Sequence, residues 1–303
     1  MPDTLSDLSN SLALAVERGA LSVVTIHGRP RIPSSGIVWR SGLILTSDAA
    51  LRRDEDLRVT LPDGKTVPAA LKGRDATTDL ALLSCDTGST AAASFGKGAL
   101  KPGQIILTVG RTADTGPIAT MGIISGVSGE WQTWRGGKLD QFVRLDVSVY
   151  PTSAGGAVIN GEGKILGVVA AGLSRSSVIA ITQPTIERVA EVLSTKGRVA
   201  RGYLGIGVQS VAIPQALKEQ LSIQQDTGVI ALNVEDGGPA AGAGMLIGDV
   251  VLSLGNHRIT GPEALHAALD SSAVNKQLPL NILRGGTLLK LVATVAERAG
   301  RGA

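Results

Sequence analysis

Few residues in this chain could carry chemistry. There are three histidines, His27, His257 and His266, and a single cysteine, Cys85. Scattered in this way they cannot close a metal site, which needs several ligands at short, regular spacing. No metal and no cofactor is therefore expected, and the pieces GIG and GRG are too short to cradle a phosphate. Cys85 closes an apolar run, ALLSC, and reads as a small buried or half-buried side chain rather than a nucleophile. One stretch has the form of a tight turn between two strands. LDVSVY leads into Pro151, Thr152, Ser153, Ala154, Gly155 and Gly156, and then into AVINGEGKILGVV. Asp79 stands before a second apolar run, Leu-Ala-Leu. A hydroxyl nucleophile needs a base to take its proton and a carboxylate to orient that base. The centre of the turn, Ala154, has no oxygen.

Composition bounds what could position these groups. The 303 residues suffice for two or three compact units. With 43% hydrophobic and 18% charged residues, the chain has the composition of a folded protein. Aromatic residues make up only 2%, so Val, Ile, Leu and Ala must build the core. The net charge is +3, without a Lys/Arg block interleaved with aromatics, which argues against nucleic acid as a partner. The N-terminus lacks the basic leader of a secretory signal, and no uncharged apolar run reaches about 18 residues. A cytoplasmic location without a membrane span is expected for the chain as written, and a periplasmic one if a leader has been removed.

Residues 5–18 are weakly amphipathic and predict a short helix. From residue 21 to about 181, short apolar runs such as LSVVTI, GLILT, DLALLSC, QIILTVG and FVRLDVSVY alternate with turn residues. That rhythm predicts an antiparallel sandwich or barrel, with Asp63-Gly64 turning a hairpin. TQPTIERVAEVLSTKG then changes to helical period, with Thr185 as its expected N-cap and Gly197 as its stop. Residues 199–297 read as a second unit, a small mixed barrel with helices at PQALKEQL and at Pro262 to about Asp270. The expected division is an N-terminal segment 1–20, a first domain 21–198, a second 199–297 and a frayed tail 298–303. Loop 131–138, WQTWRGGK, offers two Trp beside Arg135 as either a packing cap or a contact patch.

In order and spacing these segments resemble the HtrA-type family, a trypsin-like double β-barrel followed by a PDZ domain. SSGIVWRSGLILTSDAAL resembles the stretch that bears the family's catalytic His, DATTDLALLSC the stretch with its Asp, and LDVSVYPTSAGGAVINGEGKILGVV the stretch with its Ser. GRVARGYLGIGV and GGPAAGAGMLIGDVVLSLGNHRI resemble the PDZ portion. The likeness runs from about residue 5 to 297 and implies a mainly β fold. It also places the triad: Ala49 stands where the His belongs, Asp79 where the Asp belongs, and Ala154 where the Ser belongs. Thr152 replaces the oxyanion-loop Gly, Ser153 lies one position too early to attack, and Ala157 replaces a Pro.

These departures imply a member that does not cleave peptides, since Ala49 accepts no proton and Ala154 offers no oxygen. Asp79, without a partner, is expected to be hydrated or hydrogen-bonded near Thr77–Thr78. What the resemblance leaves is peptide binding by strand addition, with a free carboxylate held by backbone N–H groups. It implies Tyr203, Leu204, Gly205 and Ile206 as the capture loop, with Arg201 assisting by charge. Val208 would continue the pairing edge, and Leu265 and Leu269 would form the opposite wall. The expected partners are protein C-termini or unfolded segments, and HtrA-like subunits in a homo- or hetero-oligomer. The expected role is a scaffold, adaptor or regulatory subunit. The alternatives are an active serine endopeptidase, with displaced catalytic residues or alanines introduced to silence it, and a folding helper indifferent to peptide ends.

Overall fold

Short Val-, Ile- and Leu-rich runs buried along almost their whole length suit strands covered on both faces, and Gly, Asp and Asn at left-handed φ make turns between them. The computed structural model describes residues 4–170, 172–174 and 176–298. Two compact units result, Met1–Thr133 with Lys138–Val199, and Trp134–Gly137 with Ala200–Ala303. The short segment 134–137 thus groups with the second unit, although it falls within the stretch assigned to the first from sequence.

In the first unit, helix α1 (Thr4–Ala20) precedes β1 (Val23–His27), β2 (Ser34–Arg40), β3 (Leu43–Thr46), β4 (Leu57–Thr60), β5 (Thr66–Asp75) and β6 (Leu80–Ser84). These six strands close in the order β1-β2-β3-β6-β5-β4, with β4 returning to β1 through Thr25↔Thr60 and His27↔Arg58. Val24, Ile26, Val38, Ile44, Val59 and Leu83 fill the interior. The expected Asp63-Gly64 turn joins β4 to β5, with Gly64 at φ +86°.

A second barrel follows from β7 (Ile105–Thr112), β8 (Gly116–Ser128), β11 (Phe142–Asp146), β12 (Ala157–Ile159), β13 (Ile165–Ala170) and β14 (Val178–Thr182), in the order β11-β14-β13-β12-β7-β8. A two-strand hairpin, β9 (Trp131–Gln132) and β10 (Lys138–Leu139), interrupts the sequence after β8. Trp131 packs on Phe142, ring centroids 5.0 Å apart, whereas Trp134 is exposed beside Arg135. The loop is a packing cap at one Trp only. A shared layer that includes Val23, Ile37, Leu45, Leu82, Val109 and Ile181 joins the two barrels.

Helix α2 (Gln183–Lys196) ends the unit, stopped by Gly197 at φ +72° as its sequence indicates. Its N-cap is Thr182, not Thr185. Pro184 sets the start earlier, and Thr185 inside the first turn donates instead to the Asp140 carboxylate at 3.0 Å.

In the second unit, β15 (Gly202–Tyr203) pairs with β22 (Ala296–Glu297). The main sheet comprises β16 (Ile206–Ala212), β17 (Thr227–Val234), β18 (Val250–Leu254), β20 (Gln277–Arg284) and β21 (Thr287–Thr294), in that spatial order, with β19 (His257–Arg258) on β18. It is an open antiparallel sheet rather than the small barrel expected, because β16 and β21 do not meet. Helices α3 (Gln215–Leu221), α4 (Pro239–Gly242) and α5 (Pro262–Ala268) complete the unit. Beyond Arg298, the tail lies outside the described residues.

Candidate functional site: a buried carboxylate, a closed turn and an open sheet edge

The end of β3 and the turn before β6 bring Ala49 and Asp79 together. Thr46 closes β3, and Asp48–Ala50 form a single 3-10 turn. Arg74 braces that turn: its guanidinium pairs with the carboxylates of Asp48 and Asp54 and donates to the Asp48 carbonyl at 3.2 Å. Ala49 is exposed at its outer side. Asp79 is 1% exposed and sits at φ +56°, a left-handed conformation that Asp tolerates better than most residues.

The Asp79 carboxylate accepts from three donors, one of them shared between its two oxygens. Ser47 Oγ lies 2.9 Å from both oxygens, the Ala49 N–H 2.8 Å from Oδ1, and the Gly172 N–H 3.2 Å from Oδ2. Burial pushes its pKa above the ordinary carboxylate value, outweighing the Ala49, Ser47 and Gly172 donors that pull it down. This corrects the expected partners. The Thr77 and Thr78 hydroxyls donate instead to the Asp75 carboxylate at 2.6 and 2.8 Å. With no imidazole available, the carboxylate holds the chain around the old base position.

The turn bearing Ala154 abuts the same strand end. Gly155, at φ +80°, lies so close that an added Cβ would stand 2.3 Å from Thr46 Oγ1 and 2.6 Å from the Ser47 nitrogen. Only Gly fits both the conformation and the space. The Ser35 N–H donates to the Ala154 carbonyl at 3.0 Å, and Ala154, 7% exposed, carries only a methyl side chain. Ser153 is 2% exposed, its N–H donated to the Tyr150 carbonyl at 2.8 Å.

Just before it the chain closes on itself. Pro151–Ser153 form a 3-10 turn in which Thr152 keeps a negative φ. The Ala154 N–H points back to the Pro151 carbonyl at 3.4 Å. Arg29 Nη2 donates to that carbonyl at 2.9 Å, and Ser35 Oγ donates to the Thr152 carbonyl at 2.6 Å. An oxyanion hole needs free N–H donors aimed at the developing negative charge. Here the backbone N–H of Ala154 is already directed at the Pro151 carbonyl. Sequence reasoning missed Ser35, Ser47, Arg29 and Gly172. Ser47 alone carried a signal, lying two residues before Ala49.

In the second unit β16 pairs with β17 on one side only, and α5 packs beside it. Ile206 and Val208 are half-buried on this strand. Gly205 at φ +75° precedes it, and the carbonyls of Leu204 and Gly205 accept from Ala240 and Glu235 at 2.9 and 2.8 Å. Among the described residues the N–H groups of Leu204 and Gly205 have no acceptor. Tyr203 donates its hydroxyl to Glu235, and the Arg201 carbonyl accepts from the Arg298 N–H.

The expected wall is different. Leu204, Leu265 and Leu269 are 1%, 2% and 8% exposed and belong to the core of this unit. Helix α5 stops at Ala268, and the Leu269 carbonyl accepts from the Gly202 N–H at 2.9 Å.

Two domain classes account for this arrangement. A family model described as a trypsin-like peptidase domain matches residues 34–168, and one described as a PDZ domain matches residues 202–295. The chain thus pairs a trypsin-like double barrel with a C-terminal PDZ domain. It is 30% identical over 271 residues to the serine protease Do-like HtrA of Lactobacillus helveticus, covering 83% of this chain and 65% of that protein. It is 27% identical to a probable periplasmic serine endoprotease DegP-like of Halomonas elongata, covering 89% and 57%. The chain therefore spans less than two thirds of the length of these relatives. The crystal structure of the serine endoprotease from Yersinia pestis superposes with TM-score 0.75 at 27% identity, covering 95% of this chain and 98% of that one. The HtrA-type protease AlgW with a decapeptide gives 0.75 at 25% identity, covering 95% and 99%. The chain belongs to the HtrA-type family.

Proposed function

We propose that this HtrA-type chain does not cleave peptides and instead binds them, as a scaffold, adaptor or regulatory subunit. One observation carries the proposal. The base and nucleophile positions implied by the family likeness, Ala49 and Ala154, hold methyl groups, while Asp79 accepts from Ser47 and two backbone amides instead of an imidazole. No path remains for a proton to leave a nucleophile. Ser153 cannot substitute, because its backbone is tied to Tyr150 and its side chain is buried one residue early.

Binding would use the free side of β16. Extended peptide adds there as a strand, and its terminal carboxylate meets the unpartnered amides at Leu204 and Gly205. Ile206 and Val208 line the edge, whereas Leu204, Leu265 and Leu269 act from beneath as its floor. Arg201 would add charge assistance from just before the loop, and Tyr203 fixes the loop through Glu235. The related AlgW structures contain bound peptides, which supports this reading by analogy. Subunits of its own kind or of an active relative are further proposed partners; light scattering showing a strict monomer would remove the regulatory-subunit version.

The test is direct. Full-length chain should leave casein intact, escape labelling by a fluorophosphonate, and bind peptides with a free C-terminus more tightly than their amidated forms. Turnover with covalent labelling would establish the second reading, an active endopeptidase, which the names of the relatives favour. Equal affinity for acid and amide would leave a folding helper without end specificity. Among the described residues no helix is long and apolar enough to cross a membrane. Some of the relatives are named as periplasmic, and a periplasmic site of action is the corresponding proposal here.

A further inference from the structure

A depression of roughly 670 Å³ opens on the first barrel, away from the residues used above except Arg29. Its walls include His27, Arg29, Arg53, Arg58, Thr60 and Thr66. The barrel register gathers them. His27 at the end of β1 lies opposite Arg58 on β4, and Thr60 lies opposite Thr66 across the β4–β5 hairpin. Arg29 and Arg53 enter from the loops after β1 and β3, and Arg53 is held by donating to the His27 carbonyl at 3.1 Å. Such a volume falls within the range of small-molecule sites, about 300–1,000 Å³.

The charge in this basin is uncompensated. Among the described residues none of Arg29, Arg53 and Arg58 forms an ion pair. Asp56 is the one carboxylate on the wall, and the neighbouring Asp54 is taken by Arg74. The Nε of Arg29 is buried without an acceptor. His27 Nε2 lies 2.8 Å from Thr60 Oγ1, which lies 2.8 Å from Thr66 Oγ1, so two rotatable hydroxyls border the cations. Burial, then Arg58 and Arg53, depress the His27 pKa, as expected where positive charge gathers without a counterion. Clustered guanidiniums beside hydroxyls are the usual donor set for phosphate oxygens.

We propose that this basin binds a multiply charged phosphate-type anion, a soluble di- or triphosphate group. The proposal is independent of the peptide-binding reading. A bound anion favours the imidazolium, so His27 takes up a proton more readily in the complex. Arg29 also donates to Pro151, so occupancy is felt at the neighbouring turn.

The test is calorimetric titration of the full chain with sodium tripolyphosphate at fixed ionic strength, with the His27 ring followed by NMR. One site is expected, tighter than for sulfate, with a raised His27 pKa. The Arg53→Gln/Arg58→Gln double variant should weaken binding by about tenfold or more, while Lys101→Gln at an exposed site away from the basin leaves it unchanged. Affinity no better than for sulfate, equal weakening by Lys101→Gln, or an unmoved His27 would overturn the proposal. Sedimentation with phosphatidylglycerol/phosphatidylcholine vesicles separates the sources. Vesicle binding without tripolyphosphate binding would assign the cations to a lipid surface and refute the soluble ligand.

Discussion

On the proposed reading, placing a histidine at position 49 and a serine at position 154 should not make a protease. The perturbation is Ala49→His together with Ala154→Ser. Asp79 and the Ala49 backbone are already in register, so a histidine there has its orienting carboxylate. The obstacle is the turn before Ala154. To free the Ala154 N–H, the Pro151 carbonyl must leave it and the half-buried Arg29, and the Gly that the family has at position 152 implies a left-handed φ that Thr152 must then adopt. A long neutral hydrogen bond and a solvent-exposed one contribute about 1–2 kcal/mol, and a β-branched residue at positive φ costs about 1–2 kcal/mol more. A bias of about 2–4 kcal/mol leaves the open turn populated at roughly one part in thirty to one in a thousand. Loss of a single oxyanion donor in a working protease has a similar effect, about 10²–10³ in kcat. The assay is turnover of a fluorogenic peptide, normalised to fluorophosphonate-titrated sites. The doubly substituted chain should run at least about thirtyfold below an active HtrA-type protease, and adding Thr152→Gly with Arg29→Ala should recover much of the deficit. Full rate in the double variant alone would refute the closed turn.

Other consequences can be checked on the same protein. Asp79→Ala strands Ser47 and the Ala49 and Gly172 amides without an acceptor and should cost about 2–4 kcal/mol in chemical denaturation. Asp79→Asn separates charge from shape. The folded state holds the Asp79 proton more tightly than the unfolded chain, so parent stability falls as pH rises from 3.8 through the folded value. The Asn variant should therefore gain on its parent across that window, and a flat difference between them would exclude a raised pKa. In the PDZ unit, burial raises the Asp249 pKa, but Arg284 and the Leu246 N–H outweigh it and hold the carboxyl below its ordinary value. Its contribution is present above the unfolded value of 3.8 and is lost as pH falls through the folded one. Asp249→Asn should thus lower the Tm of this unit at neutral pH and flatten its acid transition. Gly205→Val forces a β-branched residue into φ +75°, against Glu235 Cβ at 3.3 Å. It should destabilise by about 1–2 kcal/mol and weaken peptide binding measured by fluorescence polarisation.

The barrels were readable because each strand announces itself locally, as a short apolar run bounded by turn residues such as Asp63-Gly64. Gly197 as a helix stop was readable for the same reason. Closure of each barrel and the opening of the PDZ sheet depend on which strands meet, which local pattern does not encode. Thr185 shows how a local rule fails: a capping residue type was present, but Pro184 set an earlier start and Asp140, 45 residues away, claimed the hydroxyl. The candidate site divides similarly. Ala49, Asp79 and Ala154 follow from motif position, yet the partners of Asp79 come from 32 and 93 residues away. Arg29 reaches Pro151 across 122 residues without any mark in the sequence. Leu265 and Leu269 have the spacing of a groove wall, and burial places them in the core instead.

An unfilled strand border is never neutral. Unlike the twelve barrel strands, which satisfy one another in closed circuits, β16 offers a row of backbone groups to whatever arrives. A neighbouring molecule could lie down there as readily as a guest. Exposed Gln209 and Ser210 break the apolar rhythm of that border partway along, so a long greasy strand finds poor company beyond Val208. A short tail finishing at Gly205 needs only the first few rungs, and in crowded surroundings that brevity would help keep copies of the chain apart.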